Sequence, residues 1–172
     1  MHETNDRFTL AAGGGKSVAL GGLGVHFKLW GDQTQGRLSV VEHPMDAGRL
    51  VPPHVHADED EYSYIVRGEF GVRIGNFEAS AGPGDYVFKP RAIPHTFWNA
   101  GPQPALLVEM ISPAGFEQFF DRLADIYAAA GSDPPDQAAI GELAARYNLA
   151  FTNPEWIPEL KAKYNLKLLG EP

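Results

Sequence analysis

Short apolar segments follow one another between residues 25 and 111, and residues typical of turns separate them. The turns include Gly-Asn at 75–76 and Ala-Gly-Pro-Gly-Asp at 81–85. Turns at such regular intervals, with no helical pattern between them, favour an antiparallel sandwich or barrel. We therefore predict an all-β fold for residues 25–111.

The hydrophobic pattern changes from a strand period to a helical period after residue 111. Ser112 and Pro113 are residue types typical of an N-cap and of the first position of a helix. A second helix is predicted near 140–147, and a third short helix within 150–172. The apolar face of the first helix consists of Phe116, Phe119, Phe120, Leu123, Ile126 and Tyr127.

Three regions are therefore expected along the chain. Residues 1–24 are Gly-rich and polar and are predicted to form a flexible N-terminal arm. Residues 25–111 should form the β-barrel, and residues 112–172 a C-terminal helical extension. Because the extension is small and apolar on one face, we expect it to pack on the barrel or on a partner subunit.

Composition excludes several classes of function. The formal charge is −8, from 14 basic and 22 acidic residues, which argues against binding to nucleic acid. Nothing suggests a membrane segment, so a cytoplasmic protein is expected. The chain contains no cysteine, so any bound metal must be held by nitrogen and oxygen atoms.

Four side chains of the ligand type could meet at one point. His54 and His56 are two positions apart, so on a strand both imidazoles face the same side. Glu61 begins the next predicted strand, and His95 begins a later one. Three imidazoles and one carboxylate can hold a divalent transition metal with one or two positions open.

Asp60 is the main alternative to Glu61, because a slip of the loop by one residue would present it instead. The alternation of the strand favours Glu61, which shares its side with Ser63 and Ile65. Asp58 and Glu59 are interpreted, with Asp60, as exposed loop acids. The remaining histidines lie in no recognisable motif and are assigned no function; they are His2, His26 and His43.

Two motifs in this region resemble those of the cupin superfamily. The first is Gly48-x5-His54-x-His56-x4-Glu61-x6-Gly68. The second is Gly84-x5-Pro90-x-Ala92-x2-His95-x3-Asn99, with Ala92 where the family usually has glycine. The resemblance implies a double-stranded β-helix barrel. It also implies one divalent ion (iron, nickel, manganese, cobalt, copper or zinc) bound by His54, His56, Glu61 and His95.

The chain, including the helical tail, resembles small cupins of the quercetin 2,3-dioxygenase type. This resemblance implies a small aromatic or enol-containing substrate whose hydroxyl binds the metal, with dioxygen as a second substrate. Glu61 would be both a ligand and a proton acceptor. Phe97, Ile65 and Phe88 are the candidate residues of the substrate pocket.

Other functions stay open. A metal cupin could also be an isomerase, decarboxylase or lyase, and a cupin could bind a small molecule without turnover. The basic residues on predicted strands are few (Arg37, Arg73 and Lys89), which disfavours an anionic ligand.

A homodimer is also expected. Homodimers are common in the family that the chain resembles. An outer row of large side chains, which a partner subunit or the helices could cover, is predicted at Tyr62, Tyr64 and Val66.

Overall fold

The computed structural model describes residues 8–131 and 133–171. This part of the chain forms thirteen strands and three helices. The strands are β1 (Ser17–Ala19), β2 (Gly24–Leu29), β3 (Ser39–Met45), β4 (Arg49–Leu50), β5 (His54–His56), β6 (Asp60–Arg67), β7 (Phe70–Ile74), β8 (Phe77–Ala81), β9 (Tyr86–Lys89), β10 (His95–Asn99), β11 (Ala105–Ser112), β12 (Leu149–Phe151) and β13 (Lys167–Leu168). The helices are α1 (Glu117–Ala130), α2 (Gln137–Arg146) and α3 (Ile157–Tyr164).

The strands form two sheets that share one hydrophobic core. In the first sheet the order is β1-β2-β3-β11-β6-β9, and all of these neighbours are antiparallel. In the second sheet the order is β12-β5-β10-β4-β13, with β7 pairing with β10 and β8 with β7. The predicted fold class, an all-β double-stranded β-helix with a C-terminal helical extension, is confirmed.

Burial alternates along the central strands as their sequences predict. In β11 the buried positions are Ala105, Leu107, Glu109 and Ile111, and the side chains between them are only partly buried. β10 differs because all five of its residues are buried. Its inner face contributes Phe97 to the main core, whereas Trp98 packs in a second cluster with Leu160 and Leu166. The sheet carrying His95 is therefore covered on both sides.

The first helix begins later than predicted. Ser112 is not an N-cap, because it continues β11 and pairs with Asp60 of β6. The Ser112–Pro113 peptide is cis, and the helix starts at Glu117. The Glu117 carboxylate accepts hydrogen bonds from the backbone N–H groups of Gly31 and Gly115, at 2.9 and 2.7 Å. These bonds tie the start of α1 to the turn after β2.

Short strands also form outside residues 25–111. β1, within the predicted arm, pairs with β2, and Leu20 and Leu23 are buried. In the extension, β12 pairs with β5 and β13 runs parallel to β4. The extension therefore continues the second sheet through β5 and β4, on the side of β10 opposite β7. Residues 1–7, including His2, lie outside the described part.

The outer row on β6 is not covered by the helices. Tyr62 stacks on Phe88 with ring centroids 5.0 Å apart, and Tyr64 contacts Tyr86 at 4.9 Å. Tyr86 is 74% exposed on β9, the last strand of the first sheet. The homodimer that would cover this row stays a prediction.

In the described part of the chain, no helix combines the length and apolar character needed to cross a lipid bilayer.

Candidate metal centre and adjoining cavity

The four predicted ligands meet inside the barrel. His54 and His56 lie on β5, Glu61 on β6 and His95 on β10, and all four are buried. One ligand atom from each lies within 4.8 Å of all the others. His95 is the direct cross-strand partner of His54, which fixes two of the imidazoles side by side.

Hydrogen bonds to backbone carbonyls orient two of these rings. His54 Nδ1 lies 2.8 Å from the Pro52 carbonyl oxygen, and His95 Nδ1 lies 3.0 Å from that of Ile93. Because a carbonyl only accepts, each Nδ1 must donate its proton, which leaves Nε2 of the neutral ring as a free electron-pair donor. Burial lowers the pKa of His54 well below its usual value and favours this neutral form.

The arrangement of donor atoms suits a bound cation. Glu61 Oε2 lies 3.1 Å from His95 Nε2, and Glu61 Oε1 lies 3.4 Å from His56 Nε2. His56 Nε2 has no hydrogen-bond partner among the described residues. Lone pairs of imidazoles and of a carboxylate that face each other at these distances repel unless a proton or a metal ion lies between them. The group could therefore hold a metal ion, and its residues fit a divalent one.

The acids before Glu61 have different surroundings. Asp60 accepts from Arg91 Nη2 at 2.8 Å and from Nε at 3.1 Å, so it faces away from the imidazoles. Glu59 was predicted to be an exposed loop acid, and this is wrong: it is only 8% exposed. Its Oε2 lies 3.4 Å from His56 Nδ1, where a carboxylate can orient the ring.

A second buried charge network adjoins the cluster. Lys89 Nζ lies 3.0 Å from Glu61 Oε2 and also contacts Glu109 Oε2. Ser63 Oγ donates to both oxygens of the Glu109 carboxylate, at 3.0 and 3.1 Å. The sequence interpretation missed Glu109. The signal was present, because Glu109 occupies an inward position between Leu107 and Ile111.

The pKa values in this network follow from burial and from Lys89. Burial alone would raise the pKa of Glu61, but Lys89, His56 and His95 hold it well below the usual value. Burial alone would lower the pKa of Lys89, but Glu109 and Glu61 raise it. Burial raises the pKa of Glu109 to about 7. Glu61 and Lys89 are thus both charged at neutral pH.

A cavity of about 520 Å³ opens beside the cluster. His54, Glu61 and Glu109 contribute to its wall, and the rest is mostly apolar. The apolar side chains come from the barrel and from the extension alike. They include Phe97, Phe116, Phe119, Phe120, Leu123, Tyr127, Ile140, Leu149 and Phe151.

The predicted pocket residues have three different positions. Phe97 lines the cavity. Ile65 is fully buried in the core and does not line it. Phe88 is 51% exposed and stacks on Tyr62 outside the barrel, so its assignment to the pocket is wrong. The reason is strand alternation, because Lys89 faces inward and its neighbour Phe88 must face outward.

The start of the extension covers the group formed by His54, His56, Glu61 and His95, which we call the metal-capable cluster. The Phe116 ring meets the His56 ring edge-on, with centroids 4.3 Å apart. Phe116 also stacks on Phe119 at 4.9 Å, and both side chains are buried in the main core. These aromatic residues therefore pack in the main core and also form part of the cavity wall.

Comparison with known proteins agrees with this architecture. Residues 42–111 match the family described as Cupin domain, and this segment carries all four members of the cluster. The barrel therefore has the double-stranded β-helix fold of cupins. It resembles an RmlC-like cupin from Shewanella frigidimarina NCIMB 400, with a TM-score of 0.55 at 23% identity over 64% of this chain and 95% of that one.

Two further relatives extend the comparison. A predicted oxalate decarboxylase from Thermotoga maritima gives a TM-score of 0.58 at 16% identity, over 62% of this chain and 99% of that one. At such identities both structures show the cupin fold alone. In sequence, the chain is 32% identical over 80 residues to the tetracenomycin polyketide synthase protein TcmJ from Streptomyces glaucescens. That match covers 46% of this chain and 52% of the relative, about half the length of each.

Proposed function

We propose that the protein is a metal-dependent, dioxygenase-like enzyme that acts on a small aromatic or enol-containing molecule. One observation carries the proposal: His54 and Glu61 of the metal-capable cluster form part of the wall of an aromatic cavity. Pockets that are largely apolar, with a few convergent polar groups, suit flat apolar ligands that carry one or two oxygen atoms.

The residues of the cluster would each have a defined task. His54, His56, His95 and Glu61 would hold iron, nickel, manganese, cobalt, copper or zinc. When bound, such an ion would bind the deprotonated hydroxyl oxygen of the substrate and promote its reaction with dioxygen.

Glu61 would accept the hydroxyl proton of the substrate, because Lys89 keeps its carboxylate ionised inside the barrel. The rings of Phe97 and Phe116 would orient the substrate and exclude water.

The Streptomyces relative supports a polyketide-derived substrate. Its name connects it with a polyketide synthase, and we extend to this chain only the idea of a polyketide-derived molecule. Among the described residues, no lysine or arginine lines the largely apolar cavity, which agrees with such a substrate better than with a sugar phosphate.

A non-oxidative reaction is the second candidate. It is favoured by the buried, charged Glu61 beside Lys89, which can move a proton without consuming oxygen. Isomerisation, decarboxylation or elimination of an enol-forming substrate would use this carboxylate in the same position. Both candidates depend on the same four ligands.

Oxygen uptake distinguishes these candidates. Protein stripped with a chelator is reloaded separately with each of the six ions and mixed with flavonols and 1,3-diketones in an oxygen electrode. We expect uptake that requires both the substrate and at least one redox-active ion, and none from the His95→Ala variant. Conversion of a substrate without uptake would replace the oxygenase with the non-oxidative enzyme. A ligand retained without any product would identify a binding protein instead.

A further inference from the structure

His43 is a buried histidine in the cavity wall that has no part in the metal-capable cluster. The sequence assigned it no function, but it is only 2% exposed and lines the cavity. Its ring meets Phe120 edge-on at 5.2 Å and lies 6.4 Å from the ring of Phe97. An imidazole is therefore built into an otherwise largely apolar wall.

The hydrogen bonding of His43 determines which of its ring nitrogens is left as a hydrogen-bond acceptor. Nδ1 lies 3.0 Å from the Gly24 carbonyl oxygen, so Nδ1 donates its proton to that oxygen. Burial lowers the pKa of His43 to about 4, so the ring is neutral at pH 7. Nε2 is then an acceptor, and no described residue donates a hydrogen bond to it. An acceptor in a cavity wall is costly to cover with a ligand that brings no donor, so a ligand that brings one is favoured.

The position of His43 relative to the cluster follows from strand register. His43 pairs with Leu107, and Glu61 pairs with Ile111 of the same strand, β11. Four residues of strand separate these two rows, roughly 13 Å along β11 at the usual rise. Both side chains line the same cavity of about 520 Å³, which is large enough for a molecule of two or three rings.

We propose that Nε2 of His43 accepts a hydrogen bond from a second hydroxyl group of a polycyclic aromatic substrate, and so determines specificity. This inference rests on the proposed function, because the metal-capable cluster would bind the first oxygen of the same molecule. The substrate class is thereby narrowed to linked or fused rings with oxygen atoms at both ends. A methyl ether at the second position would leave Nε2 without a donor.

Two flavonols test this specificity in the presence of Zn²⁺, which is redox-inert and prevents turnover. The first is 3,4′-dihydroxyflavone, and the second is its 4′-methyl ether, which keeps the 3-hydroxyl for the metal. Fluorescence titration gives both dissociation constants. We expect wild type to prefer the dihydroxy compound by about ten- to a hundredfold, as expected when a buried acceptor is left unpaired.

Three variants test whether the imidazole of His43 causes the preference for the dihydroxy compound. His43→Phe should lower the preference to about one while keeping the affinity for the methyl ether within about threefold. His43→Gln, which retains a neutral acceptor, should restore part of it. His26→Phe is the matched control, because His26 lies at the surface beside Glu42 and should leave the preference unchanged.

A measurement on the wild-type protein avoids any folding defect of the variants. Long-range ¹H–¹⁵N spectra of the imidazoles should show a shift of His43 Nε2 with the dihydroxy compound and none with its methyl ether. An equal preference in wild type and His43→Phe would overturn the inference, and so would failure of both compounds to bind. A preference that depends on His43 but persists without Zn²⁺ would support it, while contradicting the proposed role of the metal.

Discussion

Replacement of His95 with alanine is expected to lower the affinity for a divalent ion by at least about a hundredfold. Loss of a residue that only hydrogen-bonds to a metal ligand already lowers metal affinity by about ten- to a hundredfold. His95 Nε2 is 3.1 Å from Glu61 Oε2, and its ring lies 4.5 Å from that of His54. Its loss removes one of three imidazoles and leaves a site with too few donors. Calorimetric titration of chelator-treated protein with Zn²⁺ measures the change.

The variant should also lose its response to metal in thermal unfolding. An ion present at about a hundred times its dissociation constant stabilises a protein by about 2.7 kcal/mol, so wild type should unfold at a higher temperature with Zn²⁺ than without it. His26→Ala serves as the control, because it removes an imidazole outside the cluster. Equal Zn²⁺ affinity in wild type and His95→Ala would show that His95 is not a ligand.

Replacement of Lys89 with methionine is expected to lower the free energy of unfolding by about 3–5 kcal/mol at neutral pH, the usual effect of removing one member of a buried ion pair. Lys89 is the cation that contacts both Glu61 and Glu109. Without it, two carboxylates remain inside the barrel, and protonation of Glu109 relieves only part of that cost. Urea denaturation of metal-free protein measures the loss.

Two comparison variants separate this effect from a general loss of packing. Glu109→Gln should destabilise much less, because Lys89 keeps Glu61 as a partner. In the double variant Lys89→Met/Glu109→Gln, the two losses in free energy of unfolding should not add. The neutral amide at position 109 carries no charge that the loss of Lys89 could leave unpaired. Lys163→Met removes an exposed ion pair with Glu78 and should leave the stability close to that of wild type. A Lys89→Met variant as stable as Lys163→Met would contradict the network.

The metal-capable cluster could be predicted from the sequence because its members have local signals. His54 and His56 are two positions apart on one strand, Glu61 is the second residue of β6, and His95 begins β10. The regular turns predicted an all-β sandwich or barrel, and the resemblance to cupins implied the double-stranded β-helix. The prediction for Phe88 is wrong because it rested on closeness to His95 in sequence, whereas the alternation of β9 places Phe88 on the outer face of the sheet.

The rest of the site depends on which strands become neighbours. Glu109 and His43 face inward by simple alternation, but only the order β3-β11-β6 brings them to the same wall as Glu61. The strands β12 and β13 were missed because segments of three and two residues are too short for a recognisable period. Both are strands because β12 pairs with β5 and β13 pairs with β4 at the edge of the second sheet.

A crystal structure of the protein grown with Mn²⁺ or Zn²⁺, with data collected at the absorption edge of the metal, tests the central claim most directly. The account predicts one anomalous peak per chain, surrounded by Nε2 of all three imidazoles and by an oxygen of Glu61. An ion found only elsewhere on the molecule, or no peak at saturating metal, would contradict it.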